Sequence, residues 1–258
     1  MNDIGLVSWR LPGDLLNALT LCNKLSTDVL EIDFGGPGRG LELDSLDLFK
    51  IREYAEVSNV TVSSLAINTY NDIGIKSSSY ECKTLFFRAL DVAEQLGIHS
   101  LFIPSFRKSL IENEIDIINT AGFLQWCCDA AGPQFVIASE NTLIVDDSKL
   151  LLSLVNRKNF SLLFDPANLF LMGIDPYVYF VELFPALYND IHIKSPTGVS
   201  FSELDNDFLY YIHKLFRTPH ILRKRFYYFS ENDYRQAGNV AIQNDISWLK
   251  EHLQLIKV

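Results

Sequence analysis

Four apolar segments in the second half of the chain each finish on a side chain able to ligate a metal ion or move a proton. Phe135-Val136-Ile137-Ala138-Ser139 leads to Glu140-Asn141, and Ser161-Leu162-Leu163-Phe164 leads to Asp165-Pro166-Ala167-Asn168. Asp190-Ile191 leads to His192-Ile193-Lys194, and Phe226-Tyr227-Tyr228-Phe229-Ser230 leads to Glu231-Asn232-Asp233. Three carboxylates and one imidazole make a mixed oxygen and nitrogen donor set, suited to Mn²⁺, Mg²⁺, Co²⁺ or Zn²⁺ and not to a thiolate-bound soft metal. A carboxylate that closes a buried strand is costly unless compensated, and one shared cation compensates three. One divalent metal ion held by Glu140, Asp165, His192 and Glu231 is therefore expected. Each residue alone carries little weight, since a strand-end Glu often caps a helix and a lone His is commonly a satisfied core residue. Recurrence on successive segments carries the argument. Of the remaining histidines, His99 precedes a predicted strand, while His213, His220 and His252 lie on or near predicted helices.

The elements that must position these residues alternate along the whole chain. Short β-branched runs at Ile4–Ser8, Val29–Phe34, Val60–Ile67, Ser100–Pro104, Phe135–Ser139, Ser161–Asp165, Asp190–Lys194 and Phe226–Ser230 are separated by segments of helical period. Helix ends are marked by Asp14, Asp44, Ser79, Gly97 and the Asp175-Pro176 pair. Strand starts fall roughly 32 residues apart, the length of a strand, a crossover helix and two loops. Eight such units predict an α/β protein, a (β/α)₈ TIM barrel forming a single domain over residues 1–258, with its active site at the carboxyl ends of the strands. A doubly wound sheet is the alternative, but Trp9-Arg10-Leu11-Pro12 occupies the first strand-to-helix turn, where a glycine-rich dinucleotide fingerprint would lie. The glycine-rich stretch Gly35-Gly36-Pro37-Gly38-Arg39-Gly40 lacks P-loop spacing and reads as a tight turn in preference to an anion cradle.

Composition bounds the partners. The 258 residues carry a net charge of −10 with 48% hydrophobic residues, which argues against nucleic acid or an anionic membrane, both of which reward clustered Lys and Arg. Arg223-Lys224-Arg225 is too short a basic run to reverse that. Met1-Asn2-Asp3-Ile4-Gly5 shows no basic segment followed by an apolar run, so a cytoplasmic protein is expected. Cys22, Cys82, Cys127 and Cys128 lack paired metal spacing and read as reduced packing thiols. The aromatic run from Tyr177 to Phe184 could pair a homodimer, but packing on its own barrel is the plainer expectation.

With these pieces in order, the sequence resembles the xylose isomerase-like barrel superfamily, the sugar phosphate isomerases and epimerases. The resemblance spans nearly the whole chain and rests on Ala89-Leu90-Asp91-Val92-Ala93-Glu94-Gln95-Leu96-Gly97, Ser139-Glu140-Asn141, Phe164-Asp165-Pro166-Ala167-Asn168-Leu169, His192-Ile193-Lys194 and Ser230-Glu231. It implies that Glu140, Asp165, His192 and Glu231 match the family's four ligands of one divalent ion. It also implies that Glu140 and Glu231 are the acid/base pair that takes and returns a proton next to a carbonyl, through an enediolate, in carbohydrate metabolism. The substrate would be a sugar or related polyhydroxylated carbonyl compound. The same enolate could expel a β-hydroxyl, as in the family's dehydratases. A lapsed barrel that only binds is a further alternative, motivated by Asn168, Ser195 and Gly198. Asn168 stands where ketose 3-epimerases have a His, Gly198 where they have an Arg, and Ser195 where many relatives have an Asp; a free-ketohexose epimerase is disfavoured. An abasic-site endonuclease would need more strand-end histidines. Trp9, Asn68, Asn168 and Lys194 are the candidate substrate-binding residues, with Arg10 and Phe106 as further pocket candidates. Lys194 shares the strand face of His192, as a substrate anchor or, more simply, as partner to a buried carboxylate.

Overall fold

The computed structural model describes residues 4–254; residues 1–3, part of the segment behind the expectation of no leader, lie outside them. Eight strands form a closed barrel in chain order: β1 (Ile4–Val7), β2 (Val29–Asp33), β3 (Thr61–Ala66), β4 (Ser100–Pro104), β5 (Val136–Glu140), β6 (Phe160–Phe164), β7 (Leu187–Ile193) and β8 (Tyr227–Ser230). The connecting helices are α1 (Leu15–Lys24), α2 (Ser45–Ser58), α3 (Tyr70–Ile73), α4 (Tyr80–Leu96), α5 (Glu114–Ala131), α6 (Val145–Val155), α7 (Pro166–Leu171), α8 (Pro176–Leu183) and α9 (Asn206–Phe216), with α10 (Asn239–Gln254) closing the chain. Parallel strands covered by helices are buried on both faces, which is why β1 and β4 are buried at every residue and read as continuous apolar runs.

Packing gathers the chain into two compact units. One comprises the chain up to Leu30, Tyr54–Thr61 and Phe164 onward, and so holds β1, β7 and β8 with α1 and α7 to α10. The other comprises Glu31–Glu53 and Val62–Leu163, and holds β4 and β5 with most of β2, β3 and β6, together with α3 to α6.

Local chemistry sets the helix ends. Asp14 accepts the Asn17 N–H at 2.9 Å, Ser79 accepts the Cys82 N–H at 3.2 Å, and Asp175 accepts the Tyr177 and Val178 N–H groups with Pro176 at the first helical position. Gly97 ends α4 at φ +71°, where a side chain would be strained. β4 has the expected limits, Ser100–Pro104, while the other strands differ from the sequence expectation by a residue or more at one end or both. β6 stops at Phe164 because Asp165 leaves the ladder to cap α7, and β7 begins earlier than expected, at Leu187.

The four cysteines are free and buried, and burial pushes the thiols up, Cys22 and Cys128 to about 12, so they pack and do not react near neutral pH. On α8, Tyr179, Phe180 and Leu183 are buried, with the Phe180 ring against Phe164 and Phe226. Among the described residues, no helix is long and apolar enough to cross a membrane.

Gly5 is a tight point of the barrel wall. It stands opposite Phe229 in the β1–β8 register, and a Cβ added there would meet the Phe229 ring at 2.3 Å. Phe229 in turn packs edge-on against His192, centroids 6.2 Å apart. Gly5→Ala should therefore cost about 1–3 kcal/mol by forcing the Phe229 ring aside; an unchanged urea midpoint would show that the ring yields freely.

Candidate active site

Each of the four strand-end side chains arrives by its own local device. Glu140 is the last residue of β5, in register between Pro104 and Leu163, and its carbonyl accepts the Ser105 N–H at 2.8 Å. Asp165 is the N-cap of α7: one carboxylate oxygen, Oδ1, accepts the Ala167 and Asn168 N–H groups at 2.8 and 3.0 Å, while Pro166 has no N–H to offer. The cap fixes the carboxylate and leaves Oδ2 for other work. His192 lies within β7 opposite Phe229. Glu231 follows β8, its N–H donating to the Ile193 carbonyl at 2.8 Å, so the ladder extends one residue further to set its side chain.

One ligand atom from each of Glu140, Asp165, His192 and Glu231 lies within 4.8 Å of the other three, and all four residues are buried. Oxygens bonded across a small divalent ion stand about 4.2 Å apart, so a contraction of about half an ångström would let these four atoms hold one such ion. Asp165 Oδ2 supports the fit: it is buried and makes no aligned hydrogen bond, although the Lys194 ammonium is 2.7 Å away.

Lys194 sits between two of the carboxylates. Its Nζ donates to Glu231 Oε2 at 2.9 Å and pairs with Asp165 Oδ2. Glu231 Oε1 accepts the Trp9 indole N–H at 2.9 Å, His192 Nδ1 stands 3.5 Å from Oε2, and Arg10 Nε stands 3.6 Å from Oε1. Burial opposes the charge on Glu231, but the Lys194 ammonium, the His192 contact and Arg10 together outweigh it and hold the carboxyl well below its usual range.

Of the candidate substrate residues, Trp9 and Lys194 touch this cluster directly, and Asn168 is tied to Asp165 through its N–H. Asn68 follows β3; its N–H faces Asp33 Oδ1 at 3.4 Å, and its side-chain Nδ2 has no hydrogen-bond partner among the described residues. Phe106 donates its N–H to Asn71. The glycine-rich stretch is a tight turn, with Gly36 N–H on the Gly40 carbonyl at 2.9 Å and the Arg39 guanidinium engaged by Asp33. A surface cleft of about 630 Å³ lined by Phe34, Tyr80, Phe87 and Trp126 among others contains none of the four candidate ligands.

Two residues that the sequence reading passed over hold the loops after β7 and β8 together. Asp245, buried on α10, accepts from Asn232 Nδ2, the Tyr234 hydroxyl, the Ser200 hydroxyl and the Phe201 N–H, all at 2.7–2.8 Å. Asn232 Oδ1 then accepts the Ser195 N–H at 2.7 Å. The Ser195 hydroxyl accepts the Thr197 and Val199 N–H groups of its own loop.

Over 254 residues, 96% of this chain and 93% of the relative, the sequence is 32% identical to a 2-epi-5-epi-valiolone 7-phosphate 2-epimerase of Actinoplanes sp.. The chain belongs to the xylose isomerase-like superfamily of sugar phosphate isomerases and epimerases. No protein-family model matches the chain. Among solved structures, a xylose isomerase domain protein from Planctomyces limnophilus superposes with a TM-score of 0.77 at 13% identity, covering 99% of both chains. An L-ribulose 3-epimerase superposes with a TM-score of 0.76 at 13% identity over 100% of this chain and 96% of its own. At that identity the two structures speak for the fold, whereas the sequence relative places this xylose isomerase-like chain among the superfamily's isomerase and epimerase enzymes.

Two outcomes follow from the charge arrangement. Lys194→Met should lower the stability of chelator-treated protein by about 3 kcal/mol, because Asp165 and Glu231 lose their buried counter-charge. The same change should tighten Mn²⁺ binding about tenfold by removing a competitor for their lone pairs, so weaker Mn²⁺ binding by calorimetry would contradict the placement of Lys194. The depressed Glu231 carboxyl contributes stability that is present above the ordinary Glu value of 4.5 and is lost as pH falls below it toward the lowered folded value. In chelator, the stability gap between wild type and Glu231→Gln should accordingly be widest near pH 7 and narrow steadily below pH 4.5; a gap independent of pH in urea titrations would rule this out.

Proposed function

We propose that the whole chain, residues 1–258, acts as one barrel domain that is a divalent-metal-dependent epimerase of a polyhydroxylated carbonyl compound. The observation that carries the reading is the convergence of Glu140, Asp165, His192 and Glu231 ligand atoms within 4.8 Å at buried strand ends. In this reading these four residues hold the ion. When bound, the ion supplies Lewis-acid polarisation of a substrate carbonyl, which acidifies the neighbouring C–H.

The protein's own groups then do the proton work. Glu140 and Glu231 are the acid/base pair. One takes a proton from the substrate carbon and the other returns one from the opposite side, and Lys194, which donates to Glu231 Oε2 at 2.9 Å, can resupply Glu231 with a proton. Trp9 fixes Glu231 through its indole N–H and lies beside His192, centroids 6.1 Å apart with the rings tilted by 50°, so that C–H groups of a substrate can pack on the indole. Asn168, held beside Asp165, can donate to and accept from a hydroxyl but cannot shuttle a proton near neutral pH. The substrate class suggested by the sequence relative is a cyclic polyhydroxy ketone bearing a phosphate, since that relative is named for epimerising 2-epi-5-epi-valiolone 7-phosphate.

Two measurements test the reading together. Purified protein supplied with Mn²⁺, Co²⁺, Mg²⁺ or Zn²⁺ should take up about one equivalent, and the His192→Ala, Glu231→Gln double variant should not. In deuterated water the metal-loaded protein should place solvent deuterium on a carbon adjacent to the carbonyl of 2-epi-5-epi-valiolone 7-phosphate or a related ketone. Failure to load any metal removes the mechanism, and loss of water in place of exchange would make the enzyme a lyase.

A further inference from the structure

We infer that Arg10 is the specificity-determining residue of this site, an anchor for a phosphate or comparable oxyanion on the substrate. The inference rests on the reading of Glu140, Asp165, His192 and Glu231 as a cation site and adds to it a charged group on the substrate and the residue that meets it.

Arg10 ends the short 3-10 turn Ser8–Arg10 that follows β1, beside Trp9. Its backbone is held: the carbonyl accepts the Tyr234 N–H at 2.8 Å, and the Tyr234 hydroxyl is fixed by Ser230 at 2.6 Å and Asp245 at 2.7 Å. Its side chain is not. Arg39, Arg88, Arg157 and Arg235 each engage a carboxylate, respectively Asp33, Glu42, Asp129 and Asp233, within hydrogen-bonding distance. Arg10 Nε stands 3.6 Å from Glu231 Oε1, an oxygen already taken by Trp9, and makes no hydrogen bond; the side chain remains 31% exposed. Asp233, the other carboxylate whose field Arg10 feels, is chelated by Arg235. A planar fork of donors is thus delivered to the edge of the candidate metal cluster with its hydrogen-bonding capacity unspent.

Charge points the same way. The cluster holds three carboxylates, Glu140, Asp165 and Glu231, against two permanent cations, Lys194 and Arg10. One divalent ion changes the balance from one negative charge to one positive. A neutral sugar leaves that excess uncompensated in a buried site, whereas an oxyanion within reach of Arg10 cancels it. Guanidinium pairs bidentately with phosphate oxygens, and this fixes the orientation of the ring carrying the phosphate as well as its affinity.

The test compares wild type, Arg10→Gln and Arg10→Lys, each loaded with Mn²⁺ and titrated calorimetrically with inorganic phosphate, with sorbitol 6-phosphate and with sorbitol. Wild type should bind both phosphates and prefer sorbitol 6-phosphate over sorbitol by at least about tenfold. Arg10→Gln should lose that preference, and Arg10→Lys, a point charge without the fork, should fall between. Mn²⁺ affinity should stay within about threefold across the series, since Arg10 is not a ligand. Equal phosphate binding by wild type and Arg10→Gln, or no phosphate preference in metal-loaded wild type, would overturn the assignment of Arg10. A flat Mn²⁺ titration in all three proteins would instead overturn the metal-site reading, and the assignment with it. Arg10→Lys keeps the comparison decisive if the Gln variant does not fold.

Discussion

Three acidic side chains buried at the ends of barrel strands must have positive charge brought to them, and much of the local architecture serves that requirement. A carboxylate stripped of water is costly in a low-dielectric interior, and three within 4.8 Å of one another repel strongly. Lys194 answers part of the demand from inside the chain by lying between Asp165 and Glu231. It can do so because it falls two residues after His192, so that strand alternation turns both side chains the same way. With Arg10 beside Glu231 as a second cation one negative charge remains, and in the proposed reading a divalent ion and then an anionic substrate offset it in turn.

Rigidity around the cluster comes from hydrogen bonds that spend one atom of a side chain on structure and keep another for chemistry. Asp165 gives Oδ1 to the first turn of α7 and turns Oδ2 inward. Glu231, by contrast, has both oxygens engaged, Oε1 by Trp9 and Oε2 by Lys194. Asp245 collects four donors from the loops after β7 and β8 and so fixes Asn232 and Tyr234, which in turn hold Ser195 and the Arg10 backbone. A buried network of this kind holds the side chains of the candidate site in place at little entropic cost.

The barrel was legible because parallel strands covered by helices leave a strong signal: short apolar runs recurring at the length of a βα unit, with capping residues between them. Its edges were less legible. Asp165 looks from sequence like the last residue of a strand, yet its capping role ends β6 one residue sooner. The four candidate ligands could be picked out because each terminates such a run, whereas Asp245 could not, being one acid among the polar positions of an amphipathic helix with nothing in its spacing to mark four convergent donors. Gly5 was invisible for a related reason. Its necessity arises from the Phe229 ring lying across from it, a contact separated by most of the chain.

The departures from the ketose 3-epimerase pattern form a coherent set in this light. Asn168 replaces a group that could exchange a proton with one that can only donate and accept hydrogen bonds, and Ser195 turns inward to order its own loop in place of presenting an acid. Gly198, at φ +75°, occupies a left-handed turn position where an arginine would be strained. The positive charge absent there is present at Arg10, on the turn after β1, where it stands beside Glu231 on a backbone clamped by Tyr234. In the proposed reading the proton chemistry stays with the strand-end carboxylates while the turn after β1 grips the charged part of the substrate, which is how one scaffold serves substrates of different shape and charge.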